Sequence, residues 1–293
     1  MKSITRRNFV SKSLLLGAAG IAAPSLIKQS IGSPTPNMVT DDISIAQWAL
    51  VKEIREGKWK TLDFPKVARE DFDINGIEFV NTLFEVPTLS YLNQLKRNAD
   101  NYGVKMVLIM VDAEGETCAP TKKERMQTVT NHKKWIDIAH YLNCHSIRTN
   151  CRGPKDADKN EALKWAAETY NMMLEYSVPA KVGICIENHG GVSNDADWMT
   201  SLIKKVDNLY FGSYPDWRQP SGIEYDNYEY LEKMLPYAKG LSYRNQPTED
   251  LTVKMINLCR KSGYRGWYGI ESSGREEILK GKNMLVKHLL KNK

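Results

Sequence analysis

Three acidic residues that lie far apart in the chain each come at the end of an apolar segment or shortly after one. They are Glu187, Asp216 and Glu271. The carboxyl ends of parallel strands meet at one edge of a sheet, so we expect these side chains to converge. Carboxylates that are close together raise one another's pKa, and a bound cation removes that conflict. An all-oxygen set favours Mg²⁺ or Mn²⁺, whereas a nearby imidazole makes Mn²⁺, Co²⁺ or Zn²⁺ more competitive.

A centre of this kind is suited to proton transfer at carbon. A divalent cation polarises a carbonyl or a pair of hydroxyls and thereby acidifies the adjacent C–H bond. Glu187 and Glu271 belong to different predicted strands, so they could act as base and acid on opposite faces of a substrate. His189 follows Glu187 by two residues and is a candidate proton carrier or substrate contact. A lone histidine after a strand is about as often a hydrogen-bonded structural group.

Other predicted strands also end in polar or aromatic residues. Arg148 and Asn150 end the fourth strand, Trp217 follows the sixth and Arg244 follows the seventh. We interpret these four as substrate contacts, with the arginines on an oxyanion and Trp217 on a sugar face, although arginines in barrels commonly pair with carboxylates. Trp48, after the first strand, is a second stacking candidate for which rim packing is the favoured interpretation. Together they predict a basin suited to a carbohydrate or a cyclitol.

The elements that must position these side chains alternate regularly along the chain. Eight short apolar segments are separated by longer amphipathic ones, which leaves room for a helix and two loops in each interval. This alternation favours a parallel sheet, and eight units favour a single closed (β/α)8 TIM barrel over an open doubly wound sheet. No GxGxxG motif follows the first strand, which counts against a dinucleotide-binding fold. The predicted strands are 43–48, 76–80, 104–111, 145–150, 182–187, 209–213, 238–243 and 267–271, and the predicted helices are 88–102, 122–142, 160–176, 195–206, 248–262 and 276–291.

The first residues are predicted to be an export signal and not part of the barrel. Arg6 and Arg7 precede the apolar run 14–23, which is too short to cross a bilayer comfortably. We assign residues 1–33 to a twin-arginine signal peptide, 34–40 to a linker and 41–293 to the TIM-barrel domain. The sequence therefore predicts a periplasmic or secreted protein without stable membrane insertion.

The excess of positive charge belongs mainly to this first segment. Residues 1–39 hold five basic and no acidic residues, so they account for five of the six net positive charges of the chain. A near-neutral barrel gives no reason to expect a nucleic-acid partner. The five cysteines include no CxxC pair, so no zinc-knuckle spacing is present and no disulfide is indicated. The sequence leaves the oligomeric state open.

Four stretches resemble the sugar phosphate isomerase/epimerase family, the xylose-isomerase-like TIM barrels. They are Ile-Glu-Asn-His-Gly-Gly at 186–191, Tyr-Pro-Asp-Trp at 214–217, the segment 237–244, and Gly-Tyr-Arg-Gly-Trp-Tyr-Gly-Ile-Glu at 263–271. The resemblance covers most of the chain after the linker. The Asn-His-Gly-Gly variant resembles a secreted branch of the family.

The resemblance implies that Glu187, Asp216 and Glu271 match three of the family's four usual metal ligands. The fourth differs, because many members carry a histidine, followed two residues on by lysine, where this chain has Ser242 and Arg244. Metal affinity is therefore expected to be weaker than in those members. The resemblance leaves His189 and Gln219 as candidates to complete the metal site, since some members have a second histidine at the position of Gln219.

These observations lead to one favoured hypothesis: an exported, divalent-metal-dependent sugar isomerase or epimerase-like enzyme that abstracts a proton next to a carbonyl. A lyase that eliminates the aglycone from a keto-glycoside would use the same carboxylates. A non-catalytic sugar-binding protein is favoured by the lost histidine and disfavoured by the three retained carboxylates. A DNA-repair endonuclease of the same superfamily would need more histidines for several zinc ions and a basic face, and this chain has five histidines.

Overall fold

Eight parallel strands form one sheet in the structure, which is a computed structural model that describes residues 41–218 and 226–290. The strand order β6-β5-β4-β3-β2-β1-β8-β7 pairs every strand with its neighbours in sequence except β6 with β7, which are the two edges of the sheet, and it also pairs β1 with β8. The predicted TIM barrel is confirmed. The strands are β1 Asp42–Ala46, β2 Gly76–Val80, β3 Lys105–Met110, β4 Ser146–Asn150, β5 Gly183–Glu187, β6 Phe211–Ser213, β7 Leu241–Tyr243 and β8 Trp267–Ile270.

Helices follow the strands and pack around the sheet. The β1–β2 connection differs from the others because it holds only two short α-helices, α1 and α2, together with 3-10 and π-helical turns. The α-helices are α1 Val51–Arg55, α2 Phe64–Lys66, α3 Leu89–Tyr102, α4 Lys122–Tyr141, α5 Lys159–Ser177, α6 Ala196–Val206, α7 Asn227–Met234, α8 Glu249–Lys261 and α9 Arg275–Leu285.

The barrel closes between β6 and β7 through a seam of isolated bridges. Ser213 bridges Ala238, and Asp216 bridges Ser242. The backbone N–H of Trp217 donates to the Ser242 carbonyl at 3.0 Å, and the N–H of Ser242 donates to the Pro215 carbonyl at 3.0 Å. β6 and β7 have three residues each, and two isolated bridges join them in the described sheet. We call this connection the β6–β7 seam, and Asp216 lies on it.

Side chains alternate between the barrel interior and the helices, as the two-residue period of a strand requires. On β2, Ile77 and Phe79 belong to the large apolar cluster beneath the helices, whereas Val80 belongs to a second, smaller cluster. That smaller cluster lines the inside of the barrel and includes Leu108 and Tyr214. The same alternation sends Arg148, Glu187 and the other site residues inward at the carboxyl ends.

Several loops between a strand and the next helix end in a capping residue, which explains where those helices begin. The Thr121 hydroxyl accepts from the N–H of Glu124, and the Glu124 carboxylate accepts from the N–H of Thr121, a capping box at the start of α4. Thr88, Asp158 and Thr248 cap α3, α5 and α8 by accepting hydrogen bonds from backbone N–H groups of the first turn, without the reciprocal bond of a capping box. These caps define the β-to-α loops that surround the site.

The predicted elements agree with the structure apart from their ends and one helix that was not predicted. Residues 47 and 48 belong to a 3-10 turn, Gln47–Leu50, and not to β1. Helix α7 is not among the predicted helices. The described helices include none that is long and apolar enough to cross a membrane. The proposed signal peptide, the linker and Gln219 lie outside the described residues, so the assignments made to them stay predictions.

Candidate active site

Glu187, Asp216 and Glu271 meet at the carboxyl end of the barrel. Glu187 is the last residue of β5, Asp216 follows β6 by three residues, and Glu271 directly follows β8. One carboxylate oxygen of each lies within 4.8 Å of the other two, and all three side chains are buried. We call these three residues the carboxylate cluster.

Glu187 is held as an ionised carboxylate. Its Oε2 lies 3.0 Å from Nε of Arg148 and 3.5 Å from Nδ1 of His189. Burial opposes ionisation, but the positive charge of Arg148, with smaller contributions from His189 and Arg244, lowers the pKa of Glu187 to about 2. No hydrogen bond of good geometry from the described residues reaches either Oε atom. Oε2 faces these two cations, and Oε1, which has no partner among the described residues, is available to a ligand.

Glu271 lies in the opposite electrostatic environment. Burial raises its pKa to about 7, and the neighbouring charges of Glu187 and Asp216 add to this effect while Arg244 opposes it. The Ser242 hydroxyl donates to Oε2 at 2.7 Å, and Nη2 of Arg244 lies 3.0 Å from Oε1. Glu271 can consequently hold or release a proton near neutral pH.

Asp216 is fixed by its backbone and by its carboxylate. Its N–H donates to Oδ1 of Asn188 at 2.7 Å, and Nδ2 of Asn188 donates to the Asp216 carbonyl at 3.1 Å. Arg244 binds the carboxylate with two hydrogen bonds, Nε to Oδ1 at 3.1 Å and Nη2 to Oδ2 at 3.0 Å. Asn188 thus ties the β5 loop to the β6 loop, and Arg244 connects two members of the carboxylate cluster across the β6–β7 seam.

Arg148 lies beneath the site and organises it from below. The side chain is 1% exposed, and its Nη1 contacts Asp112 Oδ1 at 2.7 Å and Asn150 Oδ1 at 3.2 Å. Asn150 in turn donates to Asp112 at 2.6 Å. The pKa of Asp112 is lowered, because the attraction to Arg148 and the bonds from Arg148 and Asn150 outweigh its burial. Arg148 therefore positions Glu187 and Asp112, whereas the sequence predicted a direct substrate contact.

A buried glutamate inside the barrel was missed at the sequence level. Glu78 lies on β2, where the Ser44 hydroxyl donates to Oε1 at 2.6 Å and the Tyr214 hydroxyl donates to Oε2. Burial raises its pKa to about 7 despite these two bonds. A Cβ at Gly269 would lie 2.5 Å from both Glu78 oxygens, so the glycine makes room for the carboxyl group. The available signal was a lone acid in the centre of the otherwise apolar segment 76–80.

His189 stands at the opening of the site on a turn that requires glycine. Its side chain is 31% exposed. Gly190 and Gly191 follow with φ of 106° and 58°, and a Cβ at Gly191 would lie 1.9 Å from the Arg152 carbonyl oxygen. The Gly-Gly pair therefore lets this turn pack directly against the backbone of the β4 loop.

A cavity of about 440 Å³ opens above the carboxylate cluster. Glu271, Asn150, Arg244 and His189, all predicted from the sequence, lie on its wall. A cavity of this size accommodates a small molecule such as a monosaccharide. Its other lining residues are Trp48, Val51, Asp112, Ala113, Arg152, Arg218 and Ser273.

The two tryptophans have the opposite of their predicted roles: Trp217 is packed in the core and Trp48 faces the cavity. Trp217 is fully buried and packs against Tyr243 and Tyr268, with ring centroids 5.2 and 6.2 Å away, so it presents no face to a sugar. The prediction of Trp217 as a stacking residue is wrong, because the chain after β6 turns it beneath the helices. Trp48 instead lines the cavity, and its Nε1 donates to Asp112 at 3.2 Å.

The carboxylate cluster fits a hard divalent cation by its chemistry. Three carboxylates supply oxygens within 4.8 Å, and the buried Oε atoms of Glu187 have no good hydrogen bond from the described residues. Arg244 would compete with a cation for Asp216 and Glu271. Ser242, at the position of the family's histidine, donates to Glu271. The cluster is therefore a three-carboxylate site with a guanidinium competitor.

The chain belongs to the xylose isomerase-like TIM barrel family, whose model matches residues 66–243. This confirms the family predicted from the strand-end motifs. No curated protein is significantly similar to the chain in sequence.

Solved structures of low sequence identity share the fold. A D-tagatose 3-epimerase-like protein superposes with a TM-score of 0.69 at 16% identity, covering 85% of this chain and 97% of that one. A xylose isomerase domain protein from Planctomyces limnophilus gives 0.64 at 14%, covering 85% and 98%. The 3-keto-D-glucoside 4-epimerase of E. coli gives 0.63 at 10%, covering 78% and 93%.

Proposed function

We propose that this protein is a divalent-metal-dependent carbohydrate isomerase or epimerase-like enzyme that moves a proton at a carbon next to a carbonyl. The observation that carries the proposal is the carboxylate cluster, which gathers three buried acids at the mouth of a xylose isomerase-like barrel. Neighbours of the same fold that are named as sugar epimerases support the substrate class. The pKa of Glu187 is lowered and the pKa of Glu271 is raised, and such a pair of carboxyl groups is what acid–base catalysis requires.

In the proposed reaction, Glu187 and Glu271 are the two proton-transfer groups. Glu187 is ionised and would accept a proton from carbon, whereas Glu271, with a pKa near 7, would deliver one. His189, 3.5 Å from Glu187 and partly exposed, would pass protons to solvent. Arg148 holds Glu187 in place from below.

Glu187, Asp216 and Glu271 would hold the divalent cation, with Mn²⁺ or Mg²⁺ favoured by the oxygen ligands and Co²⁺ or Zn²⁺ compatible with His189 nearby. When bound, such an ion polarises a carbonyl and acidifies the adjacent C–H bond. Asn150 and Arg244 line the cavity and would orient the hydroxyl groups of the sugar.

The proposal is tested by incubating the purified protein with aldo- and keto-sugars and their glycosides in D₂O, with and without Mn²⁺. Deuterium incorporation at a carbon, followed by NMR, is the expected result. Glu271→Gln is expected to lower the rate of exchange by about 100-fold or more, because the proton-transfer group is lost. Glu175→Gln, an exposed glutamate on α5, is the matched control and should exchange at the wild-type rate.

The same experiment separates the remaining readings. Release of an aglycone from a keto-glycoside would select the lyase. A protein that binds sugar equally well after chelation, and that exchanges no proton, would be the non-catalytic binder. The ion pairs of Arg244 with Asp216 and Glu271 are the observation that supports this alternative. Undiminished exchange in a Glu187→Gln, Glu271→Gln double variant would overturn the assignment of these residues.

A further inference from the structure

The four arginines at the site differ in how completely they are neutralised. Arg148 pairs with Asp112 and Glu187, and Arg244 pairs with Asp216 and Glu271. Arg218 is half-exposed and lies 3.2 Å from Asp216. The fourth is Arg152, which lines the cavity and has no ion pair with any described residue. It is therefore the cation of the site that remains available to a ligand.

Arg152 is an exposed residue whose backbone and Nε are nevertheless held by hydrogen bonds. Its backbone N–H donates to Oε1 of Glu116 at 3.2 Å, and its carbonyl accepts from the N–H of Val192 at 3.0 Å. Its Nε donates to the carbonyl of His189 at 2.9 Å. These bonds leave Nη1 and Nη2 without a partner among the described residues. An anchored guanidinium with two adjacent free donors matches the two oxygens of a carboxylate or a phosphate.

The glycine pair of the β5 loop is what makes this placement possible. A Cβ at Gly191 would collide with the Arg152 carbonyl at 1.9 Å. A Cβ at Gly190 would contact Cγ, Cδ and Nε of Arg152 at 3.9 Å, so the arginine stem lies along this turn. The His-Gly-Gly motif thus serves a second purpose beside presenting His189. It seats Arg152 at the entrance of the cavity.

We propose that Arg152 forms an anion subsite, and that the carbohydrate bound in this cavity carries a carboxylate or a phosphate group. The inference rests on the proposed function for the sugar part of the ligand. The anion itself is recognised by geometry and charge, independently of any proton transfer. Arg218 lines the same cavity, but it is paired with Asp216.

The experiment compares matched acidic and neutral ligands by isothermal titration calorimetry. Inorganic phosphate serves as a probe without stereochemistry, D-glucuronate is compared with D-glucose, and D-glucose 6-phosphate completes the panel. Phosphate is expected to bind the wild type, and the acidic sugars are expected to bind about tenfold tighter than glucose or better. Tighter binding of glucuronate indicates a carboxylate subsite, and tighter binding of the phosphate ester indicates a phosphate subsite.

Variants decide whether Arg152 is responsible. Arg152→Met is expected to abolish phosphate binding and the preference for acidic over neutral sugars, and Arg152→Lys should restore part of both. Arg97→Met, at an exposed position of α3, is the matched control and should behave as wild type. Circular dichroism verifies that each variant is folded.

The proposal is overturned if no anion of the panel binds, if acid and neutral sugar bind equally, or if the preference survives Arg152→Met. Failure of the D₂O exchange experiment would leave this outcome untouched, because anion binding is measured without turnover. Conversely, exchange on neutral sugars without acid preference would keep the enzymatic proposal and reject the subsite.

Discussion

At the residue scale, the most unusual groups of this protein are glutamates that keep a proton in the folded state. Glu78 is fully buried, and its pKa rises from 4.5 in an exposed setting to about 7. Between those pH values the folded state binds more protons than the unfolded state does. The free energy of unfolding therefore falls as pH rises from about 4.5 through about 7. Glu271 contributes in the same direction, since its pKa is also about 7.

Replacing Glu78 by glutamine removes one of these two contributions. The amide cannot ionise, so Glu78→Gln is expected to be more stable than wild type at pH 8 by about 2 kcal/mol and to lose less stability between pH 5 and pH 8. Urea unfolding at both pH values measures the difference. Glu175→Gln, exposed on α5, should keep the wild-type pH dependence. Parallel curves for Glu78→Gln and wild type would show that Glu78 titrates normally.

At the element scale, the site depends on β-to-α loops that are joined to one another through backbone groups. The turn Gly191–Asn194 after β5 touches the β4 loop through the backbone of Arg152. Asn188, in the same loop, binds the backbone of Asp216 in the β6 loop. Three consecutive β-to-α loops are joined in this way. The β5 loop lies between the other two and holds both the β4 loop and the β6 loop in place.

A methyl group at Gly191 should disrupt this contact. Gly191→Ala is expected to lower the free energy of unfolding by about 3 kcal/mol or more. Alanine would be strained at the φ of 58° that Gly191 adopts, and its Cβ would lie 1.9 Å from the Arg152 carbonyl oxygen. Gly263→Ala is the matched control, since Gly263 also has a positive φ, 79°, but nothing lies within 4 Å of its Cβ position. That variant should cost only about 1 kcal/mol. Urea unfolding that gave equal losses for both would show that the loop contact is unimportant.

At the scale of the whole molecule, the β6–β7 seam joins the two edges of the described sheet and also carries part of the site. A few backbone hydrogen bonds cross it, and Arg244 reinforces them by pairing with Asp216. A cation bound by the carboxylate cluster would reinforce the same seam. The function proposed here and the closure of the barrel consequently depend on the same side chains.

Arg244→Met is expected to loosen the seam locally. Loss of the guanidinium leaves Asp216 buried without its bidentate partner, so amide hydrogen exchange in segments 213–217 and 238–244 should speed up by about tenfold or more. The amides of β1 and β2, on the other side of the barrel, provide the internal control. Uniform acceleration throughout the barrel would instead mean that Arg244 stabilises the fold globally and has no special effect on the seam.

Much of this molecule follows from local sequence pattern. The alternation of apolar and amphipathic segments predicted all eight strands and the closed barrel, because a strand buried on both faces needs an apolar run and a parallel connection needs a helix. The placement of Glu187, Asp216 and Glu271 at strand ends predicted that they would meet. The point where an apolar run stops identifies the end of a strand, and the two-residue period of the backbone identifies the face on which a side chain lies.

Only the tertiary structure decided which side chains are neighbours within that ring. The burial of Trp217, the exposure of Trp48 to the cavity, the pairing of Arg148 with Glu187 and the carboxyl group of Glu78 inside the barrel all depend on residues from other strands. Such contacts are set by the order, the tilt and the closure of the strands, and the local pattern along one strand carries none of that information. The sequence determined which groups come to the mouth of the barrel, and the fold determined which of them are neutralised and which, such as Arg152, remain free to bind.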